Sequence, residues 1–398
     1  MVQLIRSSPS RGLRSLSEPV RREPTWHRVD WVLAGTSIVL ALLGGVLIWA
    51  ATRQHQIDLH ADPQYYLKKH LINLAIGLLI GGVVAVVDYR ALRTYAPIVY
   101  VLSCIGLVAV LAVGSTVNGA HSWILLPAGF AIQPSEFAKV ALIVGMAMLL
   151  TERRERENRR PVADVPLLLA LAAVPMALIM LQPDVGTVMV FVFTILGVLS
   201  VAGVSWKWIL GLIALGALVA YAAVALHLLK SYQLDRFRSF ANPNVSNAAT
   251  YNVTQARIAI GSGGLTGSGL FHGSQTNGRF VPEQQTDFIF TVAGEELGLL
   301  GAGGIIVLFG IMMWRALRIA GRSPDPFGRL VAVGVVAWFS FQIFVNIGMT
   351  LGIMPVTGLP LPFMSYGGSS MFASFLAVGL LENVHMRTQE TGRVRAAL

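Results

Sequence analysis

Long apolar stretches constrain the fold of this chain more than any other feature. Of its 398 residues, 55% are hydrophobic and only 13% are charged. A helix that crosses a bilayer needs about 20 predominantly apolar residues. Ten segments approach that length: 31–51, 70–87, 96–114, 134–150, 165–181, 186–204, 208–228, 288–313, 330–349 and 367–386. The sequence therefore predicts an all-α polytopic membrane protein with about ten transmembrane helices.

The distribution of Lys and Arg predicts which helix ends face the cytoplasm, because cytoplasmic loops carry an excess of basic residues. With the N-terminus inside, 21 of the 30 Lys and Arg residues fall on inner segments. This bias favours both termini in the cytoplasm and an even number of spans. The long loop 229–287, between helices 7 and 8, is then extracytoplasmic and too long to be a simple connector.

The topology divides the chain into three parts. Residues 1–30 are rich in Arg, Ser and Pro and predict a disordered basic cytoplasmic tail. Residues 31–386 form the transmembrane domain, and 387–398 form a short cytoplasmic tail. The net charge of +10 reflects this topology and an attraction to anionic lipid of the inner leaflet. Nucleic-acid binding is not expected, because the basic residues are dispersed. The single cysteine, Cys104, excludes an intrachain disulfide.

The segment "NGAHSWILLPAGFAIQPSEFAKV" runs from an outer loop into the fourth predicted helix. Ser135 or Gln133 can cap the free N–H groups of the first turn. Glu136 and Lys139 are three residues apart and share one helix face. They form either a self-compensating pair within the membrane or a substrate-facing pair. Trp123 is either an interfacial anchor or part of a lipid-binding groove.

Two further outer segments carry polar signals. In "QPDVGT", Asp184 either caps the following helix through Thr187 or contributes to a site. The loop 229–287 contains the glycine-rich stretch "GSGGLTGSG", which predicts a flexible hinge or an anion-binding nest. Its basic residues suggest an anionic ligand at the membrane surface; they are Lys230, Arg236, Arg238, Arg257 and Arg279.

Three carboxylates stand at the head of the eighth predicted span. We expect Thr286 to cap the helix and Asp287 to occupy its first position, where the helix dipole favours a negative charge. Glu295 lies about 12 Å deeper. Glu295 and Glu296 must be protonated, paired or exposed to a wet cavity, because charge inside a bilayer is costly. The segment therefore predicts one wall of an outward-facing polar cleft with Asp287 at its mouth.

The polar segments together resemble one family, the SEDS proteins (shape, elongation, division and sporulation). The resemblance rests on "SWI…QPSEFAK", "QPDVGT", "QARIAIGSGGL", "GSQTNGRFVPEQQTDFIFTVAGEELGLLG" and "GIMPVTGLPLPFMSYGGSS", which occur in the family's order. The last of these is most similar to the elongation members. The resemblance implies a peptidoglycan glycosyltransferase of the bacterial plasma membrane. Such an enzyme polymerises lipid II into β-1,4 glycan at the outer face and works with a class B penicillin-binding protein and other elongation-complex proteins.

The resemblance also implies roles for individual residues. Asp287 takes the place of the general base for the acceptor 4-hydroxyl, with undecaprenyl diphosphate as the leaving group. A divalent cation, Mg or Mn, is a possible cofactor at the diphosphate, with Asp287 or Glu136 as oxygen ligand. The expected substrate-binding residues are Trp123, Gln133, Glu136, Lys139, Asp184, Arg236, Arg257, Arg279, Ser365, Tyr366, Gly367, Gly368 and Ser369.

Other functions fit the same pattern. A lipid II flippase would also show ten spans, broken helices and intramembrane carboxylates. A division-specific polymerase and a non-enzymatic scaffold for the penicillin-binding protein are further alternatives. The segment "PLPFMSYGGSS" is either a rigid re-entrant turn or a ligand-contacting floor, since Pro360 and Pro362 prevent helix there.

Overall fold

The computed structural model describes residues 28–117, 120–126, 130–157, 164–226, 231–242 and 247–397. The seven helices before the long loop are α1 (Trp31–Asp58), α2 (Tyr65–Val86), α3 (Tyr89–Val113), α4 (Pro134–Glu157), α5 (Val165–Leu181), α6 (Val185–Val201) and α7 (Trp206–Ala225). Those after it are α8 (Ser231–Ala241), α9 (Ala248–Ser262), α10 (Ser274–Asn277), α11 (Ile289–Glu296), α12 (Gly298–Arg322), α13 (Pro326–Leu351) and α14 (Gly368–Ala397). Three short strands are β1 (Ser115–Val117), β2 (Ala120–Leu126) and β3 (Phe130–Ile132).

The helical membrane fold predicted from the sequence is confirmed. Nine of the ten predicted spans each fall on one helix, and the eighth falls on α11 and α12. Helices α1 to α4, α7, α12 and α13 are long and apolar enough to cross a membrane. Helices α5 and α6 are apolar but shorter, with 17 residues each. Residues 1–27 of the predicted tail lie outside the described residues. Helix α14 continues to Ala397, past the predicted end of the last span at 386.

A small antiparallel sheet was not predicted from the sequence. Strand β2 pairs with β1 on one side and β3 on the other, with Ser115 opposite Trp123 and Leu125 opposite Ala131. The sheet covers the end of α3 and leads directly into α4. Strands β1 and β3 have three residues each, and the seven residues of β2, AHSWILL, do not alternate apolar with polar side chains, so no period-two pattern marks the sheet.

Helices α4 and α13 form the centre of the bundle. Most residues of α13 are buried, including the aromatic side chains of Trp338 and Phe339, and α4 is similarly enclosed. Helix α7 is the opposite case, since it has no buried residue. A helix that is apolar on all sides and makes little protein contact has its remaining surface in lipid.

Charged side chains fix which ends of the helices lie together. Asp30 caps α1 and accepts a hydrogen bond from Arg315 Nε at 2.9 Å, near the end of α12. Its backbone N–H donates to Glu382 Oε2 on α14 at 2.9 Å. The start of α1 and residue 382 of α14 therefore lie at the same end of the bundle, as an even number of spans requires.

Helices α2 and α14 pack with their backbones almost in contact. A Cβ on Gly81 would lie 2.7 Å from the carbonyl oxygen of Phe375, and a Cβ on Gly379 would collide with the carbonyl oxygen of Gly81. Small residues at such a crossing permit close helix packing in membranes. Asn383 Nδ2 then donates to the Val84 carbonyl at 2.7 Å and so caps the end of α2.

The eighth predicted span is broken into two helices. Helix α11 ends at Glu296, and α12 begins at Gly298, whose φ of +66° is a left-handed conformation that favours glycine. The described part of the preceding loop contains α8, α9 and α10.

We expect Gly81→Ala to destabilise the protein by about 1–3 kcal/mol, because the added methyl group overpacks the α2–α14 contact. Gly82→Ala is the matched control, since a Cβ there meets nothing within 4 Å. Thermal unfolding of the two purified variants in detergent measures the difference. Equal melting temperatures for the two variants would contradict the packing account.

Candidate functional site

A cavity of about 530 Å³ opens at the end of the bundle opposite Asp30. Its walls come from the starts of α2, α4, α6 and α14, from the sheet, from α8, and from two connecting segments at 283–287 and 357–360. Nine of the residues predicted to form a site line it: Trp123, Gln133, Glu136, Asp184, Arg236, Asp287, Tyr366, Gly367 and Gly368.

Asp287 lies in a turn rather than in a helix. The expected helix start at Asp287 is wrong, because α11 begins at Ile289 and Phe288 is its N-cap. The carbonyl of Glu283 accepts hydrogen bonds from the N–H groups of Thr286 and Asp287, both at 3.1 Å. The chain thus winds as a tight turn before the helix. This turn presents the Asp287 carboxyl to the cavity.

The surroundings of Asp287 favour its protonated form. Burial raises the pKa of Asp287 to about 7, the neighbouring Glu283 and Asp184 carboxylates act in the same direction, and the Arg236 guanidinium opposes them. A carboxyl with a pKa near neutrality exchanges a proton readily at physiological pH, which suits a general base or acid.

The Asp287 carboxyl and the Arg236 guanidinium both lie beside Gly358. The position that a Cβ of Gly358 would occupy is 3.5 Å from Asp287 Oδ2 and 3.6 Å from Arg236 Nη1. Gly358 has a φ of +75°, a left-handed conformation that favours glycine. Arg236 is held in place by a 3.1 Å hydrogen bond from Nη1 to the Thr357 carbonyl.

Asp184 serves as a helix cap and also faces the cavity. It accepts hydrogen bonds from Thr187 N at 2.9 Å and Thr187 Oγ1 at 2.7 Å, as the capping alternative predicted. Gln133 Nε2 donates to its second oxygen at 3.3 Å, and the Gln133 backbone N–H donates to Ser369 Oγ at 2.9 Å. These bonds join the starts of α4, α6 and α14 around one wall of the cavity.

Glu136 and Lys139 form the self-compensating pair that was one of the two expectations. Lys139 Nζ donates to Glu136 Oε1 at 2.8 Å and to Gln342 Oε1 at 3.2 Å, with both charged side chains almost fully buried. Lys139 also lies 4.5 Å from the centre of the Trp338 ring. Only Glu136 of the pair lines the cavity. Gln342 Nε2 donates to the Pro360 carbonyl at 2.7 Å, so the network reaches the last outer loop.

The last outer loop is held rigidly against the Asp287 turn. Ser365 Oγ donates to the Thr286 carbonyl, and the Tyr366 N–H donates to the Gln285 carbonyl at 2.9 Å. Asn346, on α13, donates to the carbonyls of Asp287 at 2.8 Å and Leu359 at 2.7 Å. The loop is therefore a fixed re-entrant turn, and its residues Tyr366 and Gly367 also line the cavity. Ser365 and Ser369 hold the walls by hydrogen bonds.

The structure does not bring Arg257 and Arg279 to the cavity. Arg279 Nη1 lies 2.9 Å from His55 Nδ1 at the surface, and Arg257 packs beside Gly352. Arg236 is the predicted loop cation that lines the cavity, and Lys230 lies outside the described residues. The sequence could not show which of these basic residues lines the cavity, because all of them lie in one loop.

Glu295 and Glu296 have structural roles, and neither lines the cavity. Glu295 accepts from the N–H groups of Gln275 at 2.7 Å and Thr276 at 2.8 Å, while Glu296 Oε2 accepts from Phe271 N at 3.1 Å. The expectation that they form a wall of the cleft with Asp287 is wrong. Both carboxylates are paired instead with backbone N–H groups of the loop before Asp287, whose hydrogen bonds they accept.

The glycine-rich stretch packs against the break between α11 and α12. Ser268 N donates to the Glu295 carbonyl at 2.9 Å, and Leu299 N donates to the Gly264 carbonyl at 2.9 Å. A Cβ on Gly263 would collide with the carbonyl of Gly294. These N–H groups and glycines are used in close backbone packing, so neither an anion nest nor a flexible hinge describes this stretch.

Several cavity residues were missed by the sequence analysis. Lys69 and Asn73 enter from α2, and Tyr232 and Glu283 enter from the long loop. Lys69 and Asn73 are four residues apart on one face of α2, a signal that the sequence contained. Asn346 and Gln342 gave the same signal on α13, where two amides lie four residues apart in an apolar span.

The described residues contain no group of three or more His, Cys, Asp or Glu side chains arranged to hold a metal ion.

Comparison with known proteins gives a consistent result over nearly the whole chain. A family model for cell cycle proteins, covering FtsW, RodA and SpoVE, matches residues 30–390. The chain is 36% identical over 360 residues to stage V sporulation protein E of Bacillus subtilis, covering 89% of this chain and 96% of the relative. It is 34% identical over 377 residues to the peptidoglycan glycosyltransferase MrdB of Escherichia coli K12, covering 93% and 97%.

Solved structures agree with the sequence comparison. One similar chain comes from a peptidoglycan synthase complex that coordinates polymerization and crosslinking, with a TM-score of 0.76, 32% identity, and coverage of 90% and 98%. The rod shape determining protein RodA of Thermus thermophilus has a TM-score of 0.66 and 30% identity, and the match covers 91% of this chain and 98% of that one.

We expect Glu136→Gln to destabilise the protein by about 3–5 kcal/mol, because it leaves the Lys139 ammonium buried without its carboxylate. The double variant Glu136→Gln with Lys139→Met removes both charges and should recover much of that loss. Thermal unfolding of the single and double variants in detergent provides the measurement. A double variant less stable than Glu136→Gln alone would show that the pair is not the source of the loss.

Proposed function

The chain belongs to the cell cycle protein family of FtsW, RodA and SpoVE and is a multi-pass peptidoglycan glycosyltransferase, and we propose that it polymerises lipid II with Asp287 as the general base. The observation that carries this proposal is the Asp287 carboxyl, with its raised pKa, at the wall of a cavity beside the Arg236 guanidinium.

The proposed reaction transfers a glycan chain between two lipid diphosphates. The acceptor 4-hydroxyl gives its proton to the Asp287 carboxylate as its oxygen bonds to C1 of the donor sugar. The bond from C1 to the diphosphate oxygen breaks, and undecaprenyl diphosphate leaves with that electron pair. Arg236 is the cation placed to stabilise the charge on the leaving diphosphate, since it lines the same cavity. A divalent cation remains an additional proposal, and no step here depends on it.

We place the active site on the extracytoplasmic side. The cavity lies at the end of the bundle opposite Asp30 and Arg315. That other end also carries Arg318, Arg322 and Arg329, so the excess of positive charge assigns it to the cytoplasm. Lipid II on the outer leaflet would then reach the cavity directly from the membrane.

A class B penicillin-binding protein is the proposed partner, along with other membrane proteins of the elongation complex. The support is the similar chain in a peptidoglycan synthase complex that coordinates polymerization with crosslinking. An elongation role rests on the sequence "GIMPVTGLPLPFMSYGGSS". The relatives do not decide between elongation and division, since they include peptidoglycan glycosyltransferases named FtsW as well as MrdB. Depletion in the native cell distinguishes the two roles, because loss of elongation gives rounded cells and loss of division gives filaments.

Transport of lipid II is the alternative function. It is favoured by a second cavity, of about 720 Å³, at the cytoplasmic end, lined by Arg93, Glu152 and Asp325 among others. The buried Trp338 lies between the two ends along α13. Transport of labelled lipid II across liposomes without formation of glycan would support this alternative and contradict the proposed polymerase.

We expect Asp287→Asn to reduce glycan synthesis from lipid II by about 10²–10⁴-fold, because the amide cannot accept the acceptor's proton. Purified protein, with and without its partner, is assayed by gel separation of the glycan chains. Asp62→Asn is the matched control, because it changes an exposed carboxylate between α1 and α2. Penicillin should leave polymerisation intact. An Asp287→Asn variant that polymerises near the wild-type rate would disprove the base assignment.

The pH dependence of the reaction should follow the ionisation of Asp287. A general base works when it is deprotonated, so kcat/KM should rise through about pH 7 and be about tenfold below its plateau at pH 6. Arg236→Gln removes a cation and should move the midpoint to higher pH, whereas Glu283→Gln removes an anion and should move it lower.

Initial rates of glycan synthesis between pH 5 and 9 give these midpoints. The opposite directions expected for Arg236→Gln and Glu283→Gln make each variant a control for the other. A common midpoint in the wild type and both variants would show that a different group controls the reaction.

A further inference from the structure

Two basic side chains are present among the described residues that line the cavity, and they belong to different walls. Arg236 enters from α8, and Lys69 enters from near the start of α2. Arg236 is one of the charged groups that act on the Asp287 carboxyl, together with Glu283 and Asp184. Lys69 is not among those groups, so its ammonium lies outside the immediate surroundings of the base. The two cations therefore serve different parts of the cavity.

Aromatic rings orient the Lys69 ammonium. Its Nζ lies 4.6 Å from the centre of the Tyr65 ring and 5.7 Å from the centre of the Phe130 ring on β3. A ring face attracts a cation without accepting one of its three N–H donors in a conventional hydrogen bond. The preceding residue behaves differently, since Lys68 forms an exposed ion pair with Asp62 and does not line the cavity. The structure thus directs one of two adjacent lysines to the cavity.

The wall below Lys69 is apolar. Ile76 lines the cavity from the same face of α2, seven residues and about 10 Å further along the helix towards the bilayer centre. Leu125 and Phe372 line the same cavity, and Leu125 is 62% exposed. A cation near the membrane surface above an apolar wall matches a lipid phosphate, whose charge stays at the interface while its chain enters the hydrocarbon.

The proposed reaction needs two diphosphate positions in this one cavity. The donor diphosphate is bonded to C1, the atom that the acceptor 4-hydroxyl attacks, so it must lie near Asp287. Arg236 is the cation at that position. The acceptor diphosphate is attached to the other sugar of its disaccharide and is therefore remote from the reacting hydroxyl. It requires a second cation away from Asp287.

We infer that Lys69 binds the diphosphate of the acceptor lipid II, with the isoprenoid chain of that lipid along the apolar wall of Ile76, Leu125 and Phe372. The inference rests on the proposed function for the identity of the substrate. A lysine ammonium binds phosphate oxygens as a point charge, without the fixed geometry of a guanidinium. Lys69 takes part in no bond that forms or breaks. It holds the acceptor so that the 4-hydroxyl reaches Asp287.

The test separates donor from acceptor. The donor is a labelled glycan chain on undecaprenyl diphosphate whose terminal 4-hydroxyl is blocked, so that it can only donate. The acceptor is either lipid II or an analogue in which a neutral linker replaces the diphosphate. Initial rates of donor consumption by the full-length protein in detergent give kcat and KM for each acceptor.

The wild type should show a KM for the neutral acceptor about tenfold above that for lipid II, because charge-assisted hydrogen bonds to the diphosphate are lost. Lys69→Gln should raise the KM for lipid II about tenfold, leave kcat within about twofold, and discriminate less than about twofold between the acceptors. Lys69→Met also removes the charge and should behave in the same way.

Three further variants serve as controls. Lys69→Arg keeps a cation and should retain most of the preference for lipid II. Lys68→Gln removes the adjacent charge outside the cavity and should leave both KM values and the melting temperature unchanged. Arg236→Gln should lower kcat with both acceptors and keep the preference, because it acts on the donor. A wild-type preference for lipid II in Lys69→Gln and Lys69→Met, or loss of that preference in Arg236→Gln alone, would overturn the inference.

The two proposals fail in different ways. If glycan forms and the neutral Lys69 variants still prefer lipid II as strongly as the wild type, the role of Lys69 is wrong and the polymerase proposal stands. If no glycan forms from any pair of substrates, the polymerase proposal fails. Binding of lipid II and of the neutral analogue to the wild type and to Lys69→Gln then decides whether Lys69 binds the diphosphate, since only a wild-type preference lost in the variant supports it.

Discussion

One face of α13 holds the site together, through two amides in an otherwise apolar helix. Asn346 donates to the carbonyls of Asp287 and Leu359, and Gln342 links the Lys139 ammonium to the Pro360 carbonyl. In a bilayer each of these polar groups must find a partner inside the protein, because no water is available to replace one. The requirement for partners therefore fixes the Asp287 turn, the last outer loop and α4 relative to one another.

This constraint explains why the cavity can combine polarity with rigidity. Its charged groups are anchored from behind: Arg236 by the Thr357 carbonyl, Asp184 by Thr187, and Glu136 by Lys139. Preorganised charges of this kind stabilise developing charge without the cost of reorientation during reaction. The raised pKa of Asp287 has the same origin, since burial and neighbouring carboxylates outweigh one guanidinium. The properties of the site therefore depend on the contacts that hold its charged groups in place as much as on the reacting residues themselves.

The outcomes for the carboxylates show where sequence reasoning reaches its limit. The cost of charge inside a bilayer indicated that Glu295 and Glu296 must be protonated, paired or exposed to a wet cavity. It could not decide among these outcomes, because the break at Gly298 and the close packing of the glycine-rich stretch depend on contacts between distant segments. Asp287 lines the cavity, whereas Glu295 and Glu296 accept hydrogen bonds from backbone N–H groups of the preceding loop. Among the basic residues of the loop, Arg257 and Arg279 likewise do not line the cavity, whereas Arg236 does.

The sequence by itself determined the class of fold, because the length and composition of apolar stretches follow directly from the thickness and low polarity of a bilayer. Its ordered polar motifs also identified the family and nine of the residues at the cavity, Asp287 among them. The tertiary structure alone decided which polar groups face the cavity and which satisfy the protein's own backbone. It also revealed Asn73 and Glu283 in the wall, and the small sheet beside them. The physical reason is that the three-dimensional structure sets which groups are within hydrogen-bonding distance. Two arginines of one loop can therefore lie in different surroundings, as Arg236 does at the cavity and Arg279 at the surface.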